Sequence, residues 1–204
     1  MAKSKKEEVV EEKPEFRPLV KENSLQPARQ LFSGYEIEKR WVLLTKEEDH
    51  TKSKNGLELY DEVLQKGKRI EQGYIHDIQK AKEVLDALGI ELDFKPNTIR
   101  LRKYGADFIL TVKDRKETKK REVEWELNKK SFLQFWPLTK GARVYKTRLV
   151  KEVKGNKVEM DGFTDRFLLL AEIEVDDEAK MDKLPKLGMD VTGNKSWSNK
   201  ALAK

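Results

Sequence analysis

Tyr35-Glu36-Ile37-Glu38-Lys39-Arg40-Trp41-Val42-Leu43-Leu44 is the stretch whose reading decides the fold. Glu36, Glu38 and Arg40 fall at every second position, while Ile37 and Trp41 take the alternate face with Lys39 between them. A period of two belongs to a β-strand, whose successive side chains point to opposite faces. The same period recurs over residues 98–104, 108–113, 120–127, 142–150, 157–163 and 168–175. Gly105 before Ala106-Asp107, and Lys154-Gly155-Asn156, are turn chemistry for hairpins, so neighbouring strands should run antiparallel, mainly as a meander. Two helices are expected, over 57–65 and over 78–88, where Ile78, Ala81, Val84, Leu85 and Leu88 recur at three- and four-residue intervals before Gly89. Residues 69–75 between them read as a further strand. The fold class is therefore α+β, mainly antiparallel β.

The polar faces are unusual because their charges come in like-signed pairs. Arg100 and Arg102 share a face, as do Glu124 and Glu126, Lys146 and Arg148, Glu159 and Asp161, and Glu172 and Glu174. Lys113 ends the strand of residues 108–113. Like charges side by side repel, and a merely soluble surface would mix the signs. A closed barrel with a charged lumen, its apolar faces turned outward under the helices, resolves the conflict. Carboxylates on some strands could hold hard divalent cations, and Arg and Lys on others could grip phosphate oxygens. A polyphosphate with its metals satisfies both sets. One pair alone would read as a solvated strand face; the repetition favours a site.

Composition narrows the classes. Lys plus Arg number 43 against 37 Asp plus Glu, a net of +6 spread over the whole chain, and charged residues make up 39% of it. Nucleic-acid binders usually concentrate their surplus in one basic tract, so nucleic acid is not the expected partner. There is no cysteine, hence no disulfide or thiolate metal site. No run approaches the roughly 18 apolar residues of a spanning helix, and a cytoplasmic protein without a membrane partner is expected. Residues 1–31, Lys/Glu-rich with Pro14, Pro18 and Pro27, read as a flexible tail before a domain over 32–204. His50 and His76 lack metal-ligand spacing, and neither a P-loop nor a Ser/His/Asp arrangement is evident. The charges over 114–120 and 151–157 read as solvated turns, and Trp136 and Trp197 fall near the expected barrel ends.

With these pairs in order, the chain resembles the CYTH family of triphosphate tunnel metalloenzymes. Glu36-Ile37-Glu38-Lys39-Arg40-Trp41 is similar to the family's ExExK signature, with Arg40 where lysine is usual. Ile99-Arg100-Leu101-Arg102, Leu110-Thr111-Val112-Lys113, Glu124-Trp125-Glu126, Lys146-Thr147-Arg148 and Ala171-Glu172-Ile173-Glu174 follow in family order. Asp190-Val191-Thr192-Gly193-Asn194-Lys195 through Ser198-Asn199 resembles its terminal loop. The resemblance implies an eight-stranded tunnel, Mg²⁺ or Mn²⁺ as cofactor, and a triphosphate substrate. It implies Glu36, Glu38, Glu172 and Glu174 as metal ligands, and Arg40, Arg100, Arg102, Lys113, Lys146 and Arg148 as phosphate-binding groups. Glu36, Glu38, Glu124 and Glu126 are the catalytic candidates. Glu122, Glu159, Asp161 and Lys195 are further candidates. The 46–97 segment departs from the pattern by its length.

The expected activity is metal-dependent hydrolysis of triphosphates, foremost of inorganic tripolyphosphate to pyrophosphate and orthophosphate. Alternatives are a nucleoside or thiamine triphosphatase, a class IV-type adenylate cyclase making cyclic AMP from ATP, and a non-catalytic module binding polyphosphate or an RNA 5′-triphosphate. Oligomeric state is open, a homodimer being one option.

Overall fold

Alternating apolar and polar residues commit most of the chain to strands, and the computed structural model describes residues 28–45, 54–115 and 120–204. In order they form β1 (Arg29–Thr45), α1 (Lys54–Lys66), β2 (Lys68–Ile75), α2 (Ile78–Ala87), β3 (Thr98–Tyr104), β4 (Asp107–Arg115) and β5 (Lys120–Glu126). Then come α3 (Lys129–Phe135), β6 (Arg143–Val153), β7 (Asn156–Phe163), β8 (Leu168–Val175), the two-residue β9 (Met189–Asp190) and α4 (Asn199–Leu202). The expected strands and both expected helices are present. The first strand begins earlier than its periodicity suggested, at Arg29. Helix α3 escaped the sequence reading because it is seven residues long and opens with Lys129-Lys130-Ser131, which carries no apolar period. Most of the proposed tail, together with 46–53 and His50, lies outside the described residues.

Local chemistry fixes the joints. Asp77 caps α2 by accepting from the backbone N–H of Gln79 and Lys80 at 2.9 and 3.1 Å, and Asn128 caps α3 through Ser131 N–H at 2.8 Å. Between β6 and β7 the turn takes Lys154 and Gly155 to φ of 51° and 74°, the left-handed pair that matches strand twist in a two-residue hairpin.

All strand pairings are antiparallel, in the order β5-β4-β3-β2-β6-β7-β8-β1-β9. β3–β5 and β6–β8 are the meanders the turns suggested, and β2 joins them by pairing both β3 and β6. β1 is divided: residues 29–36 pair β5 and residues 37–45 pair β8. The two ladders follow one another along β1, so hydrogen bonds do not close the sheet at any one level of this strand. A closed eight-stranded barrel, as expected from sequence, is thus not established; a strongly curled sheet is.

The apolar core lies outside the curl. Ile99, Leu101, Leu110, Val112, Val123 and Trp125 face outward and pack under Ala81, Val84 and Leu85 of α2 and Phe132 and Phe135 of α3. Trp41, Val158, Met160, Leu169, Ala171 and Ile173 do the same beneath Tyr60 and Val63 of α1. A third cluster sits on the inward parity: Val42, Val144, Phe163, Leu168 and Leu170 meet Val191, Trp197, Leu202 and Ala203 of the C-terminal segment. The same strand faces that carry charge at one end therefore turn apolar at the other and are stoppered by that segment. Among the described residues no helix is long and apolar enough to cross a membrane. Leu110 is 0% exposed within the outer core; Leu110→Ala is expected to cost about 2 to 5 kcal/mol, read as a lower urea midpoint with an unchanged denaturant slope.

Candidate active site in the charged lumen

One cavity of about 560 Å³ occupies the inside of the curl. Alternation brings Glu38 and Arg40 of β1, Arg100 and Arg102 of β3, Lys113 of β4, Glu122 and Glu124 of β5, Lys146 and Arg148 of β6, and Glu172 and Glu174 of β8 to its wall. These strands are far apart in sequence, yet each sends the face predicted from period two. Glu36 lies on β1 opposite Lys120, and its side chain is outside the described residues. Glu126 is exposed and Lys195 is exposed on a 3-10 turn; neither lines the cavity. Glu159 and Asp161 share the inward face of β7 and lie beneath the wall's cations as their partners. His76 is exposed, and Trp136 stacks on Phe132 at 5.0 Å and under Arg143, away from the lumen.

The like-charged pairs of each strand are neutralised by their neighbours. On one side Glu124 Oε1 accepts from Arg100 at 3.1 Å, from Arg102 at 2.9 Å and from the Thr111 hydroxyl at 2.8 Å. Lys113 pairs with Glu122 at 2.5 Å. Burial would raise the Glu124 carboxyl, but Arg102 and Arg100 override it and hold it below its ordinary value. Burial and neighbouring Arg100 bring Arg102 down to about 10, which leaves it charged at neutral pH.

On the other side Arg148 grips Asp161 through Nε and a terminal nitrogen, both at 2.7 Å, and also meets Glu159. Lys146 donates to Asp161 at 2.5 Å and to the Asn199 side-chain oxygen at 3.0 Å. Lys146 is 1% exposed and Asp161 0%. Burial outweighs the pull of Asp161, and Arg148 adds repulsion, so Lys146 falls to about 8. Asp161 goes the other way: burial alone would raise it, but Arg148 and Lys146 hold it far below the usual carboxylate range. Arg40 bridges the β1–β8 ladder, with Nε 2.8 Å from Glu172 and a terminal nitrogen 3.1 Å from Glu38, while its other terminal nitrogen donates to the Trp197 carbonyl at 3.1 Å.

Sequence reasoning missed several wall residues. Gln72 and Tyr74 of β2 face the lumen, joined by a 2.7 Å hydrogen bond; being neutral, they formed no like-charged pair to flag them. Ser198, Asn199 and Lys200 of the C-terminal segment reach the wall, and Lys200 donates to the Asn97 carbonyl at 3.2 Å. A four-residue helix has no period from which Lys200 could be read. Its neighbouring turn, quoted as the terminal loop, was the available signal.

The wall can be tested for a divalent cation. Its acidic donors are oxygens only, and Glu38 and Glu174 stand directly opposite each other in the β1–β8 register, with Arg40 against Glu38. Seven cationic side chains against six carboxylates leave the wall nearly neutral, too weak on its own to balance a multiply charged phosphate chain. Among the described residues no group of three or more His, Asp or Glu is close enough to form a ready-made metal cage. The residues thus fit a cation held between Glu38 and Glu174 and completed by ligand oxygens or water, as is usual for Mg²⁺.

No family model matches the chain. An inorganic triphosphatase of Nitrosomonas europaea is 33% identical over 111 residues, which cover 52% of this chain and 74% of that protein. The chain belongs to the CYTH family of triphosphate tunnel metalloenzymes. A crystal structure of an inorganic triphosphatase superposes on this CYTH protein with a TM-score of 0.48 at 25% identity, over 82% of this chain and 93% of the other. The PH1819 protein of Pyrococcus horikoshii superposes at 0.38 and 20% identity, over 73% and 83%.

Loss of the Lys146 proton removes a wall cation, so kcat/KM for a triphosphate is expected to fall as pH rises through about 8. In Lys146→Arg, which stays charged, that break should move out of the range in a pH–rate profile. Asp161→Ala leaves two buried cations without their carboxylate and is expected to cost about 3 to 5 kcal/mol, measured by urea unfolding at neutral pH.

Proposed function

We propose that this CYTH protein hydrolyses triphosphates with Mg²⁺ or Mn²⁺, cleaving inorganic tripolyphosphate to pyrophosphate and orthophosphate. The observation that carries the reading is the convergence of Arg40, Arg100, Arg102, Lys113, Lys146 and Arg148 on one cavity that also presents Glu38 and Glu174 as a facing pair. The activity named for the Nitrosomonas europaea relative supports it. In this reading the curled sheet encloses the substrate as a tunnel, stoppered by the apolar cluster at one end.

Phosphoanhydride cleavage needs the spreading charge stabilised, the leaving group neutralised and water held in line. Arg100 and Arg102, fixed as a pair by Glu124, would clamp phosphate oxygens on one side, and Lys146 and Arg148, fixed by Asp161, on the other. Because their partners already hold them, little reorganisation accompanies reaction, the condition under which electrostatic stabilisation is strongest. Glu38 and Glu174 would hold the divalent cation, with Glu172 near enough to steady Arg40 beside them. When bound, the cation supplies Lewis-acid neutralisation of phosphate oxygens. The proton of the attacking water would pass to the released phosphate. Water oxygen bonds to the terminal phosphorus, the anhydride P–O bond breaks, and pyrophosphate leaves.

The test is phosphorus NMR of tripolyphosphate, ATP and thiamine triphosphate incubated with the protein and Mg²⁺ or Mn²⁺, with and without chelator. Orthophosphate and pyrophosphate from tripolyphosphate, abolished by chelator, are expected; cyclic AMP from ATP would assign a cyclase, and binding without turnover a non-catalytic receptor. Glu38→Gln is expected to lower turnover about a hundredfold or more at saturating metal. An unchanged rate would remove Glu38 from the mechanism.

A further inference from the structure

Thr111 is 0% exposed and does not line the cavity, yet its hydroxyl is bonded on both sides within the charged wall. It donates to Glu124 Oε1 at 2.8 Å and accepts from a terminal nitrogen of Arg100 at 2.9 Å. The strand registers explain the placement: Thr111 lies directly opposite Arg100 of β3 on one side and directly opposite Glu124 of β5 on the other. Arg100 and Glu124 thus stand two strands apart, roughly 10 Å between backbones. The guanidinium meets the carboxylate only by reaching across position 111, so a short side chain must stand there. A hydroxyl is short and also donates and accepts at once, which ties it to both neighbours. The branched Cβ of threonine restricts χ1 and so aims that hydroxyl.

The next inward-facing row of the same three strands supplies the contrast. Arg102, Ile109 and Glu126 stand in register there, with an apolar residue in the middle. Arg102 turns from that row to Glu124 at 2.9 Å, and Glu126 is exposed. Two arginines therefore converge on one carboxylate oxygen, the same oxygen to which Thr111 donates. Arg100 and Arg102 repel each other at this distance, so the pair stands only as firmly as Glu124 is held. Thr111 is the third donor on the oxygen they share, and it holds Arg100 as well.

Resting on the triphosphatase reading above, we propose that Thr111 is a positioning residue: its hydroxyl fixes Glu124 and the Arg100 guanidinium in one geometry, so that Arg100 and Arg102 meet the phosphates as a preformed pair. Thr111 touches no ligand and takes no part in the bond cleavage. It acts by setting the arginines before substrate arrives, the condition under which fixed charges stabilise a transition state most.

The experiment measures kcat/KM for tripolyphosphate, with Mg²⁺ or Mn²⁺, in the wild type, Thr111→Val, Thr111→Ser, Glu124→Gln and the Thr111→Val/Glu124→Gln double variant, with thermal midpoints as a check on folding. Thr111→Val keeps the shape without the hydroxyl and should lower kcat/KM about tenfold, as expected for losing a hydrogen bond to a charged group. Thr111→Ser restores the hydroxyl and should stay within about threefold of the wild type. Because both residues act through one carboxylate, the valine substitution should cost about threefold or less when made in Glu124→Gln. An unchanged rate in Thr111→Val, a serine variant no better than the valine one, or an undiminished loss in the Glu124→Gln background overturns the positioning role while leaving the triphosphatase reading intact. If Thr111→Val does not fold, Thr111→Ala takes its place against Thr111→Ser with the same expectations. Should the wild type not turn over tripolyphosphate, that reading fails, and calorimetric affinity for tripolyphosphate then decides. A Thr111→Val loss of affinity that serine recovers supports the positioning role; an equal affinity, or no binding by the wild type, overturns it.

Discussion

Asp161 carries a full negative charge where water does not reach, and it does so because Lys146 and Arg148 are held against it by the β6–β7 register. That register places Arg148 directly opposite Asp161, so the grip is set by strand pairing and not by chance rotamers. Breaking the arrangement would strand two cations in a low-dielectric interior, a cost far larger than the modest net stability such pairs confer. The rest of the lumen depends on this constraint, since only strands locked in register keep every charged face pointing inward.

The charges form two networks on opposite walls. Arg100, Arg102, Lys113, Glu122, Glu124 and Thr111 belong to β3–β5; Lys146, Arg148, Glu159, Asp161 and Glu172 belong to β6–β8, with Arg40 and Glu38 of β1 attached. Each network is internally compensated, and what spans them is the open space of the cavity. Under the proposed function, a ligand with negative charge along its length, accompanied by a cation, would join both without reversing either. The near-neutral wall also explains how so many charges coexist with folding: none is asked to wait for substrate to find a partner.

Much of this could be read in the sequence because a strand's side-chain period is fixed at two. Once Glu38 and Arg40 were seen to share a face with apolar neighbours opposite, the direction of every later pair followed, and the structure brings all six predicted phosphate-binding residues to one cavity. Pattern could not reveal distance from the mouth. Glu126 belongs to the same face as Glu124 but lies one step too far along β5, and Asp161, on the inward face opposite Arg148, is covered by the cations it holds. Neutral residues such as Gln72 and Tyr74, and Lys200 on a single helical turn, carry no periodic signal. The division of β1 between two partners was equally invisible, because a continuous alternation does not say which edge of a strand is paired.

That divided strand has a kinetic consequence. β3–β5 and β6–β8 join neighbours through short connections, whereas Ile37 meets Val175 about 140 residues along the chain. Ordering so long a loop costs conformational entropy before any contact repays it, and topologies rich in such contacts fold slowly. The two meanders can fold as local units and β2 joins them on one side, but on the other side β1 must fasten both across that long separation, so the lumen acquires its walls together and late. Until then the paired charges of each strand face water, where they are harmless, and the apolar outer faces must be sheltered by α1, α2 and α3 in advance of the site they will eventually surround.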